Sequence, residues 1–113
     1  LASFISNAQE ISCNDLIDFI KSKGSKQTEL HSYNLDSSWL HNVKLYKYDN
    51  KYYVITEIKE SEYNIYNTKS YIFCNIHYSN WNSFHSNIAN FYSNSTYGER
   101  FHKYIKDYLC NCY

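Results

Sequence analysis

Hydrophobic positions recur at two different periods along this chain, and the change of period marks its elements. Leu16, Ile17, Phe19 and Ile20 form an apolar stripe between Ser12 and Gly24, as on one face of a helix. Ser12 and Asp15 have capping-box spacing, Lys21 and Lys23 suit the last turn, and Gly24 is the natural residue beyond it. A helix over about 13–23 is predicted. From Ser38 the period falls to two. Val43 and Leu45 alternate with Lys44 and Tyr46, predicting a strand over about 39–48. Asp49-Asn50 is a tight-turn pair. Tyr52, Val54, Thr56 and Ile58 then alternate with Tyr53, Ile55, Glu57 and Lys59 as a second, antiparallel strand, and Tyr71 to Ile76 reads as a third. Residues 60–68 either extend the hairpin or form a short extra strand; 24–37 read as a polar connection, and 1–11 as an arm packed on the domain or on a partner.

Helical spacing returns after Ser79. Trp81, Phe84, Ile88 and Phe91 share one face of a helix predicted over about 79–92. The Asn and Ser residues between them are mediocre helix formers, so packing of the aromatic face must hold it. Thr96 and Glu99 make the strongest capping box, and Phe101, Ile105, Tyr108 and Cys112 follow at helical spacing, with Tyr104 and Leu109 widening the face. This predicts a last helix over about 97–110. The fold class is α+β: a small antiparallel meander of three to four strands between about 39 and 76, packed by two C-terminal helices, with an extra N-terminal helix. Residues 1–35 are the N-terminal arm and helix, and 36–113 the main part of one compact unit. Trp81, Phe84, Ile88, Phe101, Ile105, Val43, Val54, Ile72 and Ile76 are the expected core.

Composition narrows the function more than the fold. At 113 residues one domain can bury about two-thirds of the surface of its unfolded chain. The formal net charge of +0 gives no global attraction toward nucleic acid, membrane surface or acidic substrates. No apolar run approaches the ~20 residues of a bilayer span, and no membrane association is expected. The 14 Tyr keep company with abundant Asn, Lys and Ile, all read from AT-rich codons. Genome composition therefore explains the tyrosines more simply than a stacking function. The chain begins at Leu1 and holds no Met, so a processed or trimmed product is expected.

Four cysteines, Cys13, Cys74, Cys110 and Cys112, leave two readings. An oxidising compartment allows two disulfides in any of three pairings. In a reducing one, Cys13 and Cys74 behave as small core hydrophobes. Zinc would need Cys110 and Cys112 with histidines drawn from His31, His41, His77, His85 or His102, and a Cys-x-Cys without a second close pair is a weak ligand pattern. Free thiols, no metal or other cofactor, and a cytoplasmic location are the expectation.

Ser37-Ser38-Trp39 before a strand, then Tyr71-Ile72-Phe73 with Ile76, a helix, and Thr96-x-Gly98-x-x-Phe101-His102-x-x-Ile105 together resemble the KTSC domain family. That family is named for a domain at the C-terminus of some lysyl-tRNA synthetases, and also occurs as small stand-alone proteins. The resemblance spans residues 36–108. It departs from the family pattern where Phe73 replaces a second Tyr, Ile76-His77 replaces Val-Pro, Thr96 replaces Ser and His102 replaces Asn. The helix before Gly98 is also longer by about seven residues, close to two helical turns. The resemblance implies a cytosolic setting, and its synthetase context brings a suggestion of RNA binding.

Two candidate surfaces follow from the residues. At the start of the last helix, Thr96, Gly98, Arg100 and Lys103 offer N–H groups and positive charge to an anion. The simpler alternative is that Thr96 and Glu99 cap the helix while Gly98 lets the preceding helix pack close. On the first hairpin, Lys44, Tyr46, Lys47, Tyr48, Lys51 and Tyr53 form a set suited to a partner or to single-stranded nucleic acid. Their alternative role is a half-buried aromatic sheet. His102 has no acidic orienter in sequence, so Ser95 or Thr96 is not read as a nucleophile, and no small-molecule substrate is evident. Asn94-Ser95-Thr96 matches a glycosylation sequon, read here as a coincidence of the capping turn. The expected function is a non-catalytic binding module that joins a protein partner or assembly through an aromatic-rich surface. RNA or single-stranded nucleic acid is the alternative partner.

Overall fold

The structure is a computed structural model that describes residues 11–61, 66–86 and 95–113. Its centre is a four-stranded antiparallel sheet in sequence order β1-β2-β3-β4. Helix α1 (Cys13–Lys23) leads into β1 (Ser25–Leu30), a single turn of helix α2 (Ser32–Leu35), β2 (Leu40–Tyr48), β3 (Lys51–Lys59) and β4 (Thr68–Phe73). Helices α3 (Tyr78–His85) and α4 (Tyr97–Tyr104) and a 3₁₀ turn (Lys106–Tyr108) complete the chain. This is the α+β architecture expected from the patterning.

The central hairpin follows directly from its sequence. Asp49 and Asn50 adopt positive φ values of 52° and 60°, as a two-residue turn matching the right-handed strand twist requires. Tyr48 pairs with Lys51, and the register runs up to Leu40 opposite Ile58 with one irregularity between Leu40 and Asn42. There the buried Thr56 hydroxyl donates to the Asn42 carbonyl at 2.6 Å, while the buried Nδ1 of His41, the residue at the irregularity, has no hydrogen-bond partner among the described residues.

Both faces of the sheet are covered. One carries Val43, Leu45, Val54 and Phe73 against Trp81, Phe84, Phe101 and Ile105 of the C-terminal helical region. The other carries Tyr46, Ile55 and Ile72 against Ile17 and Ile20 of α1. Double coverage explains why the hydrophobic alternation of β2 and β3 is blurred at mid-strand. Of the expected core, Val43, Val54, Ile72, Ile76, Trp81, Phe84, Phe101 and Ile105 are all buried. Ile88 and Phe91 lie outside the described residues, as does the arm before Ile11.

Several boundaries differ from expectation, each for a physical reason. The connection expected over 24–37 contains β1, an edge strand. Its sequence SKQTEL is mostly exposed and buries only Leu30, so it shows no alternation. The register slips between Lys26 and Thr28, and this bulge, with Lys26 on the edge, discourages further strand pairing. Gly24 is not a left-handed cap. It is extended, with φ −78°, and a Cβ there would fall 2.6 Å from the Ile20 carbonyl oxygen. Its lack of a side chain allows an immediate turn from helix to strand. β4 begins at Thr68 and ends at Phe73, before the positive-φ Asn75. Beyond the last β3–β4 pair, the Glu60 N–H reaches the Asn67 carbonyl at 2.8 Å, and 62–65 lie outside the described residues.

Helix α3 starts at Tyr78 with His77, not Ser79, as its N-cap, and stops at His85 where Ser86 turns extended. Asn82, Ser83 and Ser86 supply little propensity to carry it further. Helix α4 ends at Tyr104. The chain then tightens into the 3₁₀ turn and pairs with the edge of β4: Cys74 N–H donates to the Tyr108 carbonyl at 2.8 Å, and Cys110 N–H to the Ile72 carbonyl at 3.2 Å. Leu109 is therefore 43% exposed instead of belonging to the helical core face.

The expectation of free thiols is overturned. Cys13 bonds to Cys112 across a sequence separation of 99, and Cys74 bonds to Cys110 across 36. No cysteine is free. Cysteines so far apart in sequence are brought together only once the sheet has formed, so local spacing could not reveal the pairing. Both bonds fasten the C-terminal tail, one to the first residue of α1 and the other just beyond β4.

Candidate functional site

The start of α4 and the turn entering β2 build one cleft. Asp36 ends α2 in the left-handed conformation, with φ 47°. The Ser37 hydroxyl then accepts the N–H groups of Trp39 at 3.2 Å and Leu40 at 3.1 Å. This local turn throws the Trp39 indole toward α4. The ring packs edge-to-face on Phe101, with centroids 5.6 Å apart, and lies 5.1 Å from the His102 ring. At Gly98 an added Cβ would stand 3.0 Å from Trp39 Nε1. Gly98 thus makes room for Trp39, whereas the sequence pointed to the preceding helix as its neighbour.

Beside this contact is a cleft of about 300 Å³ bordered by Ser38, Trp39, Thr96, Gly98, Glu99 and His102. Its floor is the capping box. Glu99 N–H donates to Thr96 Oγ1 at 3.1 Å, and Thr96 N–H donates to Glu99 Oε1 at 2.9 Å. The backbone N–H of Thr96, and secondarily its hydroxyl, hold the Glu99 carboxyl below the usual carboxylate range. A carboxylate thus already occupies the place an anion would take.

The four residues assigned to an anion site are not gathered together. Thr96 and Gly98 border the cleft. Arg100 is only 3% exposed. Its Nε donates to the Phe84 carbonyl at 2.8 Å and Nη1 to the Ser95 carbonyl at 2.6 Å, while the guanidinium lies 4.3 Å from the centre of the Tyr97 ring. It ties α4 to the end of α3, a structural role. Lys103 is exposed, with Nζ over the Tyr104 ring, outside the set bordering the cleft.

The hairpin set divides between the two faces of the sheet. Tyr46 is buried beneath α1, Tyr48 and Tyr53 pack against the same cluster, and Phe19 meets Tyr48 edge-on at 5.0 Å. Burial pushes the Tyr46 and Tyr53 hydroxyls above the usual tyrosine range. Lys44 has the register parity of Tyr46 and is half-buried. Lys47 projects on the opposite face, 5.6 Å from the centre of the Tyr52 ring, and Lys51 is exposed at the turn. These residues do not form a continuous stacking platform.

A different aromatic surface replaces it. Tyr52 meets Tyr78 with centroids 5.2 Å apart, and His77, next in the chain, meets Tyr108 at 6.0 Å. Tyr78 is 53% exposed. The strand alternation already placed Tyr52 on the face opposite Tyr53; what sequence did not show was that α3 begins early enough to set Tyr78 beside it. Cys110 and Cys112 are bound as disulfides and are not thiolate ligands. Comparison with protein-family models, curated proteins and solved structures finds no match.

Proposed function

We propose that this chain is a non-catalytic binding module that joins a protein partner through the aromatic surface around Tyr52 and Tyr78. The observation that carries the reading is the exposed Tyr78 ring set on Tyr52, with the Lys47 ammonium over the same tyrosine. Aromatic side chains with few rotatable bonds are efficient anchors at protein interfaces. Two disulfides favour function in an oxidising compartment, in place of the cytoplasmic setting that the family resemblance implied. Kinship with the KTSC domain family remains part of the proposal. It is supported by the meeting of Ser38 and Trp39 with Thr96 and Gly98 around one cleft.

The test is affinity purification from the source cells with the parent chain and with Tyr78→Ala. An anchor whose truncation costs ~2 kcal/mol makes retention of a genuine protein partner about thirtyfold weaker. Partners retained equally by both chains contradict the assignment of this surface. Retention of RNA, with affinity falling steeply as salt rises, would replace the protein reading with the nucleic-acid one.

A further inference from the structure

We infer that the cleft where α1 meets the C-terminal tail is a binding site for an uncharged saccharide. The cleft measures about 730 Å³, within the range of small-ligand sites. It is bordered by Ile11, Ser12 and Leu16 from the start of the described chain, by Asn75, and by Asn111 and Tyr113 of the tail, together with cysteines of both disulfides. None of the described lining side chains is charged, although 19% of the chain is. The cleft shares no lining residue with the Tyr52–Tyr78 surface.

Asn and Tyr are common throughout this chain, and it is placement that sets these apart. Every polar side chain of the cleft is next in sequence to a bridged cysteine. Ser12 precedes Cys13, Asn75 follows Cys74, Asn111 stands between Cys110 and Cys112, and Tyr113 follows Cys112. The two bonds thus fix the backbones that carry the polar groups, and a preformed site loses less freedom on binding. Tyr113 is also held at its tip, where its hydroxyl accepts the Ile72 N–H at 2.9 Å, while the residue stays half exposed. The exposed Asn75 and Asn111 side chains make no hydrogen bond among the described residues. The Ser12 oxygen accepts the Asp15 N–H at 3.0 Å but keeps its own proton to donate.

The chemistry of the lining selects the ligand. An ion entering this cleft would shed water and meet no counter-charge among the lining side chains. A wholly apolar ligand would cover two amides without bonding them. Each amide offers a carbonyl acceptor and two N–H donors, which match a ring whose hydroxyls both donate and accept. The C–H face of such a ring suits the Tyr113 ring and the side chains of Ile11 and Leu16. An extended peptide would seek a free strand edge. Here the edge of β4 is already bonded to the tail, through the Cys74 N–H, the Ile72 carbonyl and the Ile72 N–H.

The oxidised full chain is applied to an array of neutral, sialylated and sulfated oligosaccharides. The neutral one retained most strongly is then titrated free in solution while the amide NMR signals are followed. Shifts should gather at Ser12, Asn75, Asn111 and Tyr113. Asn111→Ala and Asn75→Gly should each weaken binding about fivefold, as the loss of one hydrogen-bonding group does. Glycine is the replacement at Asn75 because that residue has a φ of 54°. Tyr78→Ala should leave saccharide binding unchanged, which keeps this site separable from the protein-docking surface. Failure to retain any neutral saccharide, retention of the acidic ones alone, or equal affinity in the parent and both Asn variants would each overturn the inference.

Discussion

The two faces of the sheet are held by different physics. Beneath α3 and α4 the cluster is closed by large rings: Phe84 meets Phe101 and Tyr97 edge-on, and Phe101 meets Phe73 and Trp39 in the same way. No covalent link crosses that layer. On the other face a single helix of 11 residues buries Ile17, Ile20 and Cys13 on a smaller apolar surface, and a disulfide from its first residue ties it down. A short amphipathic helix gains little from propensity and depends on what it packs against. Where two helices cover the sheet, side-chain packing suffices; where one does, a cross-link constrains the unfolded chain and compensates for the smaller core.

The sharpest way to break the comparison is to damage the packed face. Phe84→Ala removes a fully buried ring at the junction of α3 and α4 and should lower unfolding free energy by about 3–5 kcal/mol. Chemical denaturation measures it; a loss below about 1 kcal/mol would deny that this face rests on its rings. On the face beneath α1, the pair Cys13→Ser/Cys112→Ser should cost about 2–4 kcal/mol. A stability equal to the parent's would make that cross-link incidental.

Smaller effects sharpen the account around the cleft. Gly98→Ala sets a methyl against an indole already braced by Phe101 and His102. Overpacking of ~1–3 kcal/mol should outweigh the helix-propensity gain of up to ~1 kcal/mol, leaving a net loss of about 1 kcal/mol in unfolding free energy, measured by chemical denaturation. An equally stable variant would show that Trp39 swings aside. Glu99 supplies the smallest effect, through pH. Its carboxyl is depressed in the folded state, so its contribution is present above the unfolded carboxylate pKa of about 4.3 and is lost as pH falls through the lower folded value. Glu99→Gln should therefore reduce the acid-side loss of stability between about pH 5 and 3, relative to the parent. Identical acid profiles would remove the capping box from the account.

What was legible in the sequence was local. Asp49-Asn50 between two alternating runs specified the hairpin, and Ser12 and the Thr96–Glu99 pair specified two helix starts, because each signal lies within a few residues of its effect. β1 was illegible because an exposed edge strand needs no alternation. Helices α3 and α4 ended early because one met the weak helix formers around Ser86 and the other was drawn onto the β4 edge. The cleft was half legible: Thr96 and Glu99 announced the cap, but Trp39, the neighbour that needs Gly98, lies far off in the chain. Arg100 looked available for an anion until folding turned its guanidinium inward to carbonyl oxygens. The disulfides depend on the same long-range assembly.

Amide hydrogen exchange of the oxidised chain, and of the chain held in a dithiol, tests the contrast between the faces most directly. With both bonds opened, the amides of Cys13–Lys23 and of the tail after Tyr108 should exchange much faster, while those of β2, β3 and Tyr97–Tyr104 keep their protection. Uniform loss of protection across the sheet and α4, or unchanged protection in α1, would contradict the claim that one face is held by packing and the other by its covalent tie.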